Sequence, residues 1–309
     1  MKGDSNRKRP AVPEHAPRPP AQEPRRDSGT PQQAGAVIPG RGSRRWLRRI
    51  GIGLWRRVTA PARLRPSFLI IGAQKSGTTA LFGLLAAHPL VLRPLRNEVH
   101  YFDDFHDRGR RWYRSHFPLN RGGSHITGEA SPSYMIHPLA PRRAAALDPR
   151  MKLIAILRDP VERALSHHAM STRKGREWLP FEAAVDAEAE RLSSIGEAVP
   201  DGPRYKYHSV RVHSYLKRGR YAEQLQAWLK HFPRGNLLML RTEDFWADGN
   251  RTANRVYDFL GLPPHRLPVG KFTGQRRYSI DPALRKRLER LFAGDQARLK
   301  GLFDYERMR

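Results

Sequence analysis

Glycine, lysine and threonine are grouped between residues 72 and 79 in a pattern that suits phosphate binding. The segment reads Gly-Ala-Gln-Lys-Ser-Gly-Thr-Thr and directly follows the apolar run Phe68-Leu69-Ile70-Ile71. If a helix begins here, its first backbone N–H groups point at an anion, and Lys75 adds a full positive charge. The segment therefore predicts a phosphate-binding loop, with a tight strand-to-helix turn and a solvated lysine as the alternative interpretation.

The lysine of this loop is displaced from its position in nucleoside-triphosphate loops. Those loops read G-x-x-x-x-G-K-[ST]. Gly72 and Gly77 have the required separation, but Thr78 occupies the lysine position and the lysine stands at residue 75. The displacement favours a leaving group other than that of an ordinary ATPase or kinase. A nucleotide or small-molecule kinase with an atypical phosphate loop remains the enzymatic alternative.

Strands that alternate with helices must position this loop. Residues 68–71 and 152–157 form apolar runs, as expected of strands buried on both faces of a parallel sheet, and residues 236–240 offer a third. Asp159 and Pro160 suit the start of a helix. Helical patterns also cover residues 78–87, 181–191, 221–231, 252–260 and 281–303. The order predicts an α/β protein, a three-layer P-loop-like fold with a central parallel sheet flanked by helices.

The first fifth of the chain differs in composition from the rest. Residues 1–66 hold 10 of the 26 prolines and 16 Lys and Arg against 4 Asp and Glu, and no Phe, Trp or Tyr precedes Trp46. Such a segment buries too little apolar surface to offset the entropy of ordering. We expect a disordered basic Pro/Arg-rich tail over residues 1–43, an amphipathic helix and linker over residues 44–66, and one folded domain over residues 67–309.

Residues 44–58 alternate basic pairs with apolar residues. From Trp46 to Val58, apolar residues fall four apart on one helical face. Gly51 and Gly53 weaken a free-standing helix, so we expect it to pack its Trp and Leu side on the domain. The alternative is peripheral membrane contact through its arginines.

The strong positive charge restricts the class of partner without deciding it. The chain carries a formal net charge of +28, and subtracting the +12 of residues 1–66 leaves +16 on the remainder. Such a charge suits nucleic acid, acidic lipids, polyanionic glycans or a phosphorylated cofactor. A nucleic-acid-binding protein is the non-enzymatic alternative. The basic tail lacks interleaved aromatic residues, which argues against it, and we expect no specific nucleic-acid partner.

Residue usage also bears on metals and on the cellular compartment. The chain has no cysteine, which excludes a disulfide framework and a thiolate metal site. The histidines and carboxylates show no ligand spacing, so no metal is expected. No apolar run is long enough for a transmembrane helix, and the first residues lack the apolar core of a signal peptide. We therefore expect a cytoplasmic protein, with membrane-peripheral attachment left open.

Three separated motifs resemble those of one enzyme family. Lys75-Ser76-Gly77-Thr78-Thr79 is similar to the 5′-phosphosulfate loop of sulfotransferases that use 3′-phosphoadenosine 5′-phosphosulfate (PAPS). His88-Pro89 and residues 97–103, Asn-Glu-Val-His-Tyr-Phe-Asp, resemble the heparan-sulfate sulfotransferase group and its bacterial relatives. Residues 157–166 are similar to the family's 3′-phosphate segment. The resemblance covers about residues 67–309 and implies a PAPS-dependent sulfotransferase.

The resemblance implies a role for each motif residue. Sulfuryl transfer leaves negative charge on a phosphate, which Lys75 would neutralise. Glu98 would take the proton of the attacking hydroxyl, with His100 on the same side of an extended segment to assist or orient it. Asp103 would contact the acceptor. The residues expected to bind the cofactor are Lys75, Ser76, Gly77, Thr78, Thr79, Arg158, Ser166, Gly274 and Arg276.

Two departures from the family pattern bear on the acceptor and on the cofactor. Ala130 stands where many glycan sulfotransferases have a lysine near the acceptor. Residues 273–277, Thr-Gly-Gln-Arg-Arg, lie where the family has a Lys-Gly-Arg loop that closes over the cofactor, and Gly274 alone matches in place. Arg276 or Arg277 would then supply the missing charge. The acceptor is expected to be a hydroxylated glycan, lipid or secondary metabolite, with an amine less favoured.

Overall fold

Parallel strands form the centre of the protein. A computed structural model describes residues 52–193, 208–266 and 278–303. In that part of the chain one sheet has the order β2-β3-β1-β4-β5, and every neighbouring pair is parallel. The strands are β1 Phe68–Gly72, β2 Val91–Leu92, β3 Ile126–Ala130, β4 Lys152–Leu157 and β5 Leu237–Arg241. The predicted α/β class with a central parallel sheet is confirmed.

Helices cover both faces of this sheet. Leu69 and Ile71 of β1 point into one apolar core, while Phe68 and Ile70 point into the other, as the two-residue period of a strand requires. The helices are residues 52–58 (α1), Thr78–Leu85 (α2), Gly109–Arg114 (α3), Ala140–Leu147 (α4), Pro160–Arg173 (α5), Phe181–Asp186 (α6), Glu188–Ser193 (α7), His208–His213 (α8), Tyr221–Leu229 (α9), Thr242–Ala247 (α10), Gly249–Leu260 (α11) and Pro282–Leu302 (α12).

The start of α5 follows the sequence expectation closely. Pro160 is its first residue, and the Asp159 carboxylate accepts a 2.8 Å hydrogen bond from the Glu162 N–H. Residues 181–191, by contrast, were expected to form one helix and form parts of two, α6 and α7. The side chain of Glu188, at the start of α7, is buried and accepts hydrogen bonds from the Leu216 and Lys217 N–H groups. The break between α6 and α7 thus coincides with a tertiary contact of Glu188.

The predicted packing of the amphipathic helix against the domain is wrong for its described part, α1. Its described residues 52–58 do not bury their apolar side on the domain, because Leu54, Trp55 and Val58 are all exposed. The rest of the predicted helix, residues 44–51, and the predicted tail over residues 1–43 lie outside the described residues. Among the described helices none combines the length and apolar character needed to cross a membrane.

The strand order creates a crevice at the carboxyl ends of the strands. After β1 the chain builds β2 and β3 on one side of it, then β4 and β5 on the other. In open parallel sheets, ligands bind outside the carboxyl ends of the strands where the order reverses in this way. The loops after β1, β3 and β4 therefore meet at a single place.

Candidate active site

A cavity of about 860 Å³ lies at the carboxyl ends of the strands. The loop after β1 lines it with residues 74–80, and the loop after β3 adds Pro132 and Ser133. Arg158 follows β4 and Thr242 follows β5, and both also line the cavity. Four strand ends thus converge on one space.

The predicted phosphate-binding loop forms one wall of this cavity. Gly77 caps the start of α2 with φ of 96°, a left-handed conformation that a side chain disfavours. Lys75 also has a positive φ, 72°, and the Thr242 hydroxyl donates a 2.8 Å hydrogen bond to the Ser76 carbonyl. The first-turn amides of α2 have no intrahelical acceptor, so they can bind an anion.

Positive charge is concentrated around Lys75. Burial lowers the pKa of its ammonium group, and the charges of Arg173, Lys174 and Arg158 lower it further. Four cations this close repel one another in the absence of a counter-charge. The arrangement suits a ligand with several negative charges.

Arg158 and Ser166 add polar side chains to the cavity. Both line the cavity, Arg158 from the end of β4 and Ser166 from the second turn of α5. Tyr221 donates a 2.9 Å hydrogen bond to the Arg158 carbonyl, and an Arg158 Nη2 atom lies 3.3 Å from a Glu162 oxygen. Glu162 also pairs with Arg285. Arg158 is thus held in place while its side chain lines the cavity.

Glu98 and His100 also line the cavity. The Glu98 Oε2 atom lies 3.1 Å from His100 Nε2, and the ring's Nδ1 atom lies 2.9 Å from an oxygen of Asp103. The segment is not extended as expected, because His100 has φ of 58°. This turn nevertheless brings the two side chains together. The Glu98 side chain is 47% exposed, so an acceptor can reach it.

The histidine is held as a cation. Burial alone lowers the pKa of His100, but its hydrogen bonds to Asp103 and Glu98 outweigh burial and raise the pKa to about 10. Both ring nitrogens then donate, one to each carboxylate. At neutral pH the ring therefore places a positive charge beside Glu98.

Asp103 does not reach the cavity. Its side chain is fully buried behind His100, and it also accepts a 2.7 Å hydrogen bond from the Asp104 N–H. Burial raises the pKa of Asp103, but its contacts with His100 and the Asp104 amide lower it overall. The Asp103 side chain thus contacts the His100 ring, whereas the sequence predicted contact with the acceptor.

His100, Asp103 and Asp104 are also the group of described residues best placed to hold a metal ion. Their ligand atoms lie within 4.8 Å of one another. Asp104 is already paired with Arg211, and the His100 ring separates two carboxylates. These contacts indicate a network of ion pairs.

A buried carboxylate that the sequence analysis did not single out supports the Glu98 segment. Glu129 on β3 has no exposed surface, and it accepts hydrogen bonds from the Val99 N–H at 2.9 Å, from Ser131 at 2.6 Å and from Tyr134 at 2.8 Å. The Ser131 and Tyr134 oxygens in turn accept the next two backbone N–H groups, of residues 100 and 101. Glu129 thus holds the backbone N–H groups of residues 99–101, the first directly and the next two through Ser131 and Tyr134.

Basic side chains that the sequence analysis did not assign also line the cavity. Arg173 ends α5, Lys174 and Arg176 follow it, and Arg211 projects from α8. Their signal in the sequence is the basic run Arg173-Lys174-Gly175-Arg176. Ala130, which replaces the family lysine, is buried, and its N–H donates a 2.8 Å hydrogen bond to the Asn97 carbonyl. Gly274, Arg276 and Arg277 lie outside the described residues.

Comparison with known proteins decides the family. The profile described as "Sulfotransferase domain" matches residues 65–277. The chain belongs to the sulfotransferase domain family. This assignment favours the sulfotransferase interpretation over the kinase and nucleic-acid-binding alternatives. The phosphate-binding loop, Glu98 and Arg158 all fall inside the matched range.

Two curated relatives act on heparan sulfate according to their names. Human heparan sulfate glucosamine 3-O-sulfotransferase 6 is 38% identical over 205 residues, which is 66% of this chain and 55% of the relative. Human bifunctional heparan sulfate N-deacetylase/N-sulfotransferase 3 is 33% identical over 224 residues, which is 69% of this chain and 24% of that protein. The chain thus spans about half the length of the first relative and about a quarter of the length of the second.

A solved bacterial structure shares the fold of this sulfotransferase domain. The sulfotransferase from Alicyclobacillus acidocaldarius superposes with a TM-score of 0.65 at 28% sequence identity. The match covers 77% of this chain and 95% of the bacterial chain. The family architecture therefore extends over most of the described residues.

Proposed function

We propose that this sulfotransferase-family protein transfers a sulfuryl group from PAPS to a hydroxyl group of a carbohydrate by in-line displacement. The observation that carries the proposal is that Lys75 and Glu98 line the same cavity. A cation for the leaving phosphate and a carboxylate for the attacking alcohol therefore share one reaction space. The membership of the chain in the sulfotransferase domain family supports the same reaction.

Each wall of the cavity has one task in this reaction. When bound, PAPS supplies the sulfuryl group, with its phosphosulfate end at residues 75–79 and its 3′-phosphate at Arg158 and Ser166. Lys75 and the first-turn amides of α2 stabilise the negative charge that grows on the leaving phosphate oxygen. Glu98 accepts the proton that the acceptor hydroxyl loses as its oxygen bonds to sulfur. No protein-bound intermediate is required.

The acceptor class follows from the charge of the cavity and from the relatives. Arg176 and Arg211 extend the positive charge beyond the phosphate-binding loop, and they suit an acidic carbohydrate. The relatives named above are heparan sulfate sulfotransferases, of both the O and the N type. The relative with the higher identity of the two is a 3-O-sulfotransferase, so we propose O-sulfation.

Radiolabelled PAPS tests the proposal directly. We expect transfer of label to heparan sulfate, retained after its amines are chemically blocked, and loss of transfer in Lys75→Ala. Lys286→Ala, on the exposed side of α12, is the matched control and should transfer normally. Absence of transfer to every carbohydrate tested, together with thermal stabilisation by ATP and magnesium instead of by 3′-phosphoadenosine 5′-phosphate (PAP), would refute it.

The orientation of the nucleotide has its own test. Arg158→Ala should weaken binding of PAP, measured by calorimetry, because the guanidinium can bind the 3′-phosphate in bidentate fashion. The same variant should bind the 3′-dephosphorylated nucleotide as the unmodified protein does. Equal weakening for both nucleotides would place the 3′-phosphate elsewhere.

A further inference from the structure

The described part of α1 presents an apolar side to solvent. Leu54 is 63% exposed, Trp55 is 53% exposed and Val58 is 70% exposed. In a helix, residues 54 and 58 are one turn apart and residue 55 lies beside them, so the three form a continuous stripe. We call it the α1 stripe. Exposed apolar patches of this kind commonly mark a contact surface.

The polar side of the same helix is the one that faces the domain. Arg56 is half-buried. Burial lowers the pKa values of Arg63 and His116, and the nearby charge of Arg56 lowers both further. Arg63 anchors the end of the helix, since its guanidinium donates to the Thr59 hydroxyl at 3.0 and 3.2 Å and to the Phe117 carbonyl at 2.7 Å. The helix is therefore fixed with its apolar side outward, the reverse of the usual arrangement for a surface helix.

Two possible occupants of the α1 stripe are poorly matched to it. The preceding tail is one of them, but residues 1–45 contain only Met1, Val12, Val37 and Ile38 as apolar side chains larger than alanine, apart from proline. They offer little to bury. A second copy of the chain is the other, and it would bring a net charge of +28 against another +28.

An anionic bilayer matches both the apolar character of the α1 stripe and the positive charge of the arginines near it. Arg57 adjoins the α1 stripe and is exposed, as is Arg65 nearby in the chain. Arginines bind acidic headgroups, while tryptophan favours the boundary between headgroups and acyl chains. The sequence just before α1, Arg44-Arg45-Trp46-Leu47-Arg48-Arg49-Ile50, repeats the same pairing of basic and apolar residues.

We propose that the α1 stripe, with the arginines around it, is a contact surface for membranes rich in anionic phospholipid. The apolar side chains enter the interface, and the arginines remain among the headgroups. This attachment would hold the cavity near a membrane surface without involving any residue of the reaction. It does not depend on the proposed sulfuryl transfer.

Vesicle flotation with the full chain tests the proposal. The protein should float with vesicles of phosphatidylserine and phosphatidylcholine, and much less with phosphatidylcholine alone. Leu54→Ser combined with Val58→Ser leaves every charge in place, and neither side chain anchors the helix. We expect this variant to lose partitioning by about tenfold or more, because it removes two of the three apolar side chains of the α1 stripe.

A matched control distinguishes binding through the α1 stripe from non-specific adsorption through any exposed apolar side chain. Trp178 is 80% exposed and lies away from α1 in the sequence, so Trp178→Ser should partition as the unmodified protein does. Equal flotation of the Leu54→Ser, Val58→Ser variant and the unmodified protein would overturn the proposal, since the charged tail alone would then explain binding. A dimer of the unmodified protein that this variant abolishes in sedimentation velocity would also overturn it.

Discussion

Glu98 lies between solvent and a charged histidine. Its carboxylate is 47% exposed, and one oxygen is 3.1 Å from His100. In the proposed reaction the acceptor would approach this carboxylate from its exposed side. The free lone pairs can then face the cavity, where a hydroxyl approaching the phosphate-binding loop would present its proton.

Removing the charge of Glu98 should separate catalysis from nucleotide binding. Glu98→Gln keeps the size of the side chain but cannot accept the proton, so turnover should fall by about a hundredfold or more. PAP affinity, measured by calorimetry, should stay nearly unchanged because the phosphate-binding loop is intact. The control is Glu223→Gln on the exposed side of α9, which should retain full turnover. Unchanged turnover in Glu98→Gln would remove this residue from the mechanism.

His100 should stabilise the fold in a pH-dependent way. Its pKa is about 10 in the folded protein against 6.5 in an unperturbed histidine. The folded state therefore binds the proton more tightly, and this stabilisation is complete below about pH 6.5 and lost as pH rises towards 10.

The comparison with His100→Asn measures this contribution, and asparagine tolerates the positive φ of this position. The gap in thermal unfolding temperature between the two proteins should narrow steadily between pH 6.5 and pH 10. A gap that stayed constant over this range would show that the histidine is not held as a cation.

At the scale of elements, burial decided which parts could be predicted from sequence. β1 and β4 are buried on both faces, and β5 largely so, which makes them apolar runs that sequence alone reveals. β2 is two residues long, and β3 contains Gly128 and Glu129, so neither has a strand signal. The edge strand β2 and its neighbour β3, which carries Glu129, were therefore missed. A buried carboxylate satisfied by distant donors leaves no pattern in the local sequence.

The same limit applies to the site. Lys75 and Glu98 could be named because each lies in a motif, and both line the cavity. The orientation of Asp103 depends on the left-handed turn at His100. No residue preference in the sequence predicts this turn. Arg211 reaches the cavity through the tertiary placement of α8. Side chains brought in by long-range packing are beyond motif comparison.

Glu129 should act on catalysis through the segment that carries Glu98. Glu129→Gln replaces one acceptor oxygen by an amide donor, which opposes donors such as the Tyr134 hydroxyl. We expect turnover to fall by about a hundredfold through misplacement of Glu98, with the KM for PAPS little changed. Glu129→Ala should be worse, because it removes every acceptor at this point.

Glu188→Gln is the matched control for this prediction. Glu188 is another buried carboxylate, and it accepts two backbone N–H groups away from the Glu98 segment. It should lower the unfolding temperature to a similar degree while the folded fraction keeps its turnover. If the two variants lost turnover in parallel with stability, Glu129 would have a structural role alone.

At the scale of the whole molecule, charge is distributed to attract anions. The chain carries a net charge of +28, and Lys75, Arg158, Arg173 and Lys174 lie close enough to interact electrostatically. Such a field speeds the encounter with an anionic nucleotide and concentrates it in the cavity. The cost is mutual repulsion that a bound anion relieves.

Salt should weaken nucleotide binding for this reason. Raising the ionic strength from about 0.05 to 0.5 M shortens the Debye length severalfold, so PAP affinity should fall by at least about twofold. Lys174→Ala should flatten this dependence, whereas Lys300→Ala near the end of α12 should not. An affinity independent of salt in the unmodified protein would contradict the electrostatic account.

Glu162 is shared by two arginines, Arg158 at the cavity and Arg285 in the first turn of α12. A nucleotide phosphate that draws Arg158 towards itself leaves the carboxylate wholly to Arg285. If Arg158 binds the nucleotide as proposed, we expect occupancy of the cavity to make the first turn of α12 harder to open. Slower amide hydrogen exchange near Arg285 on adding PAP would record this transfer of a single ion pair.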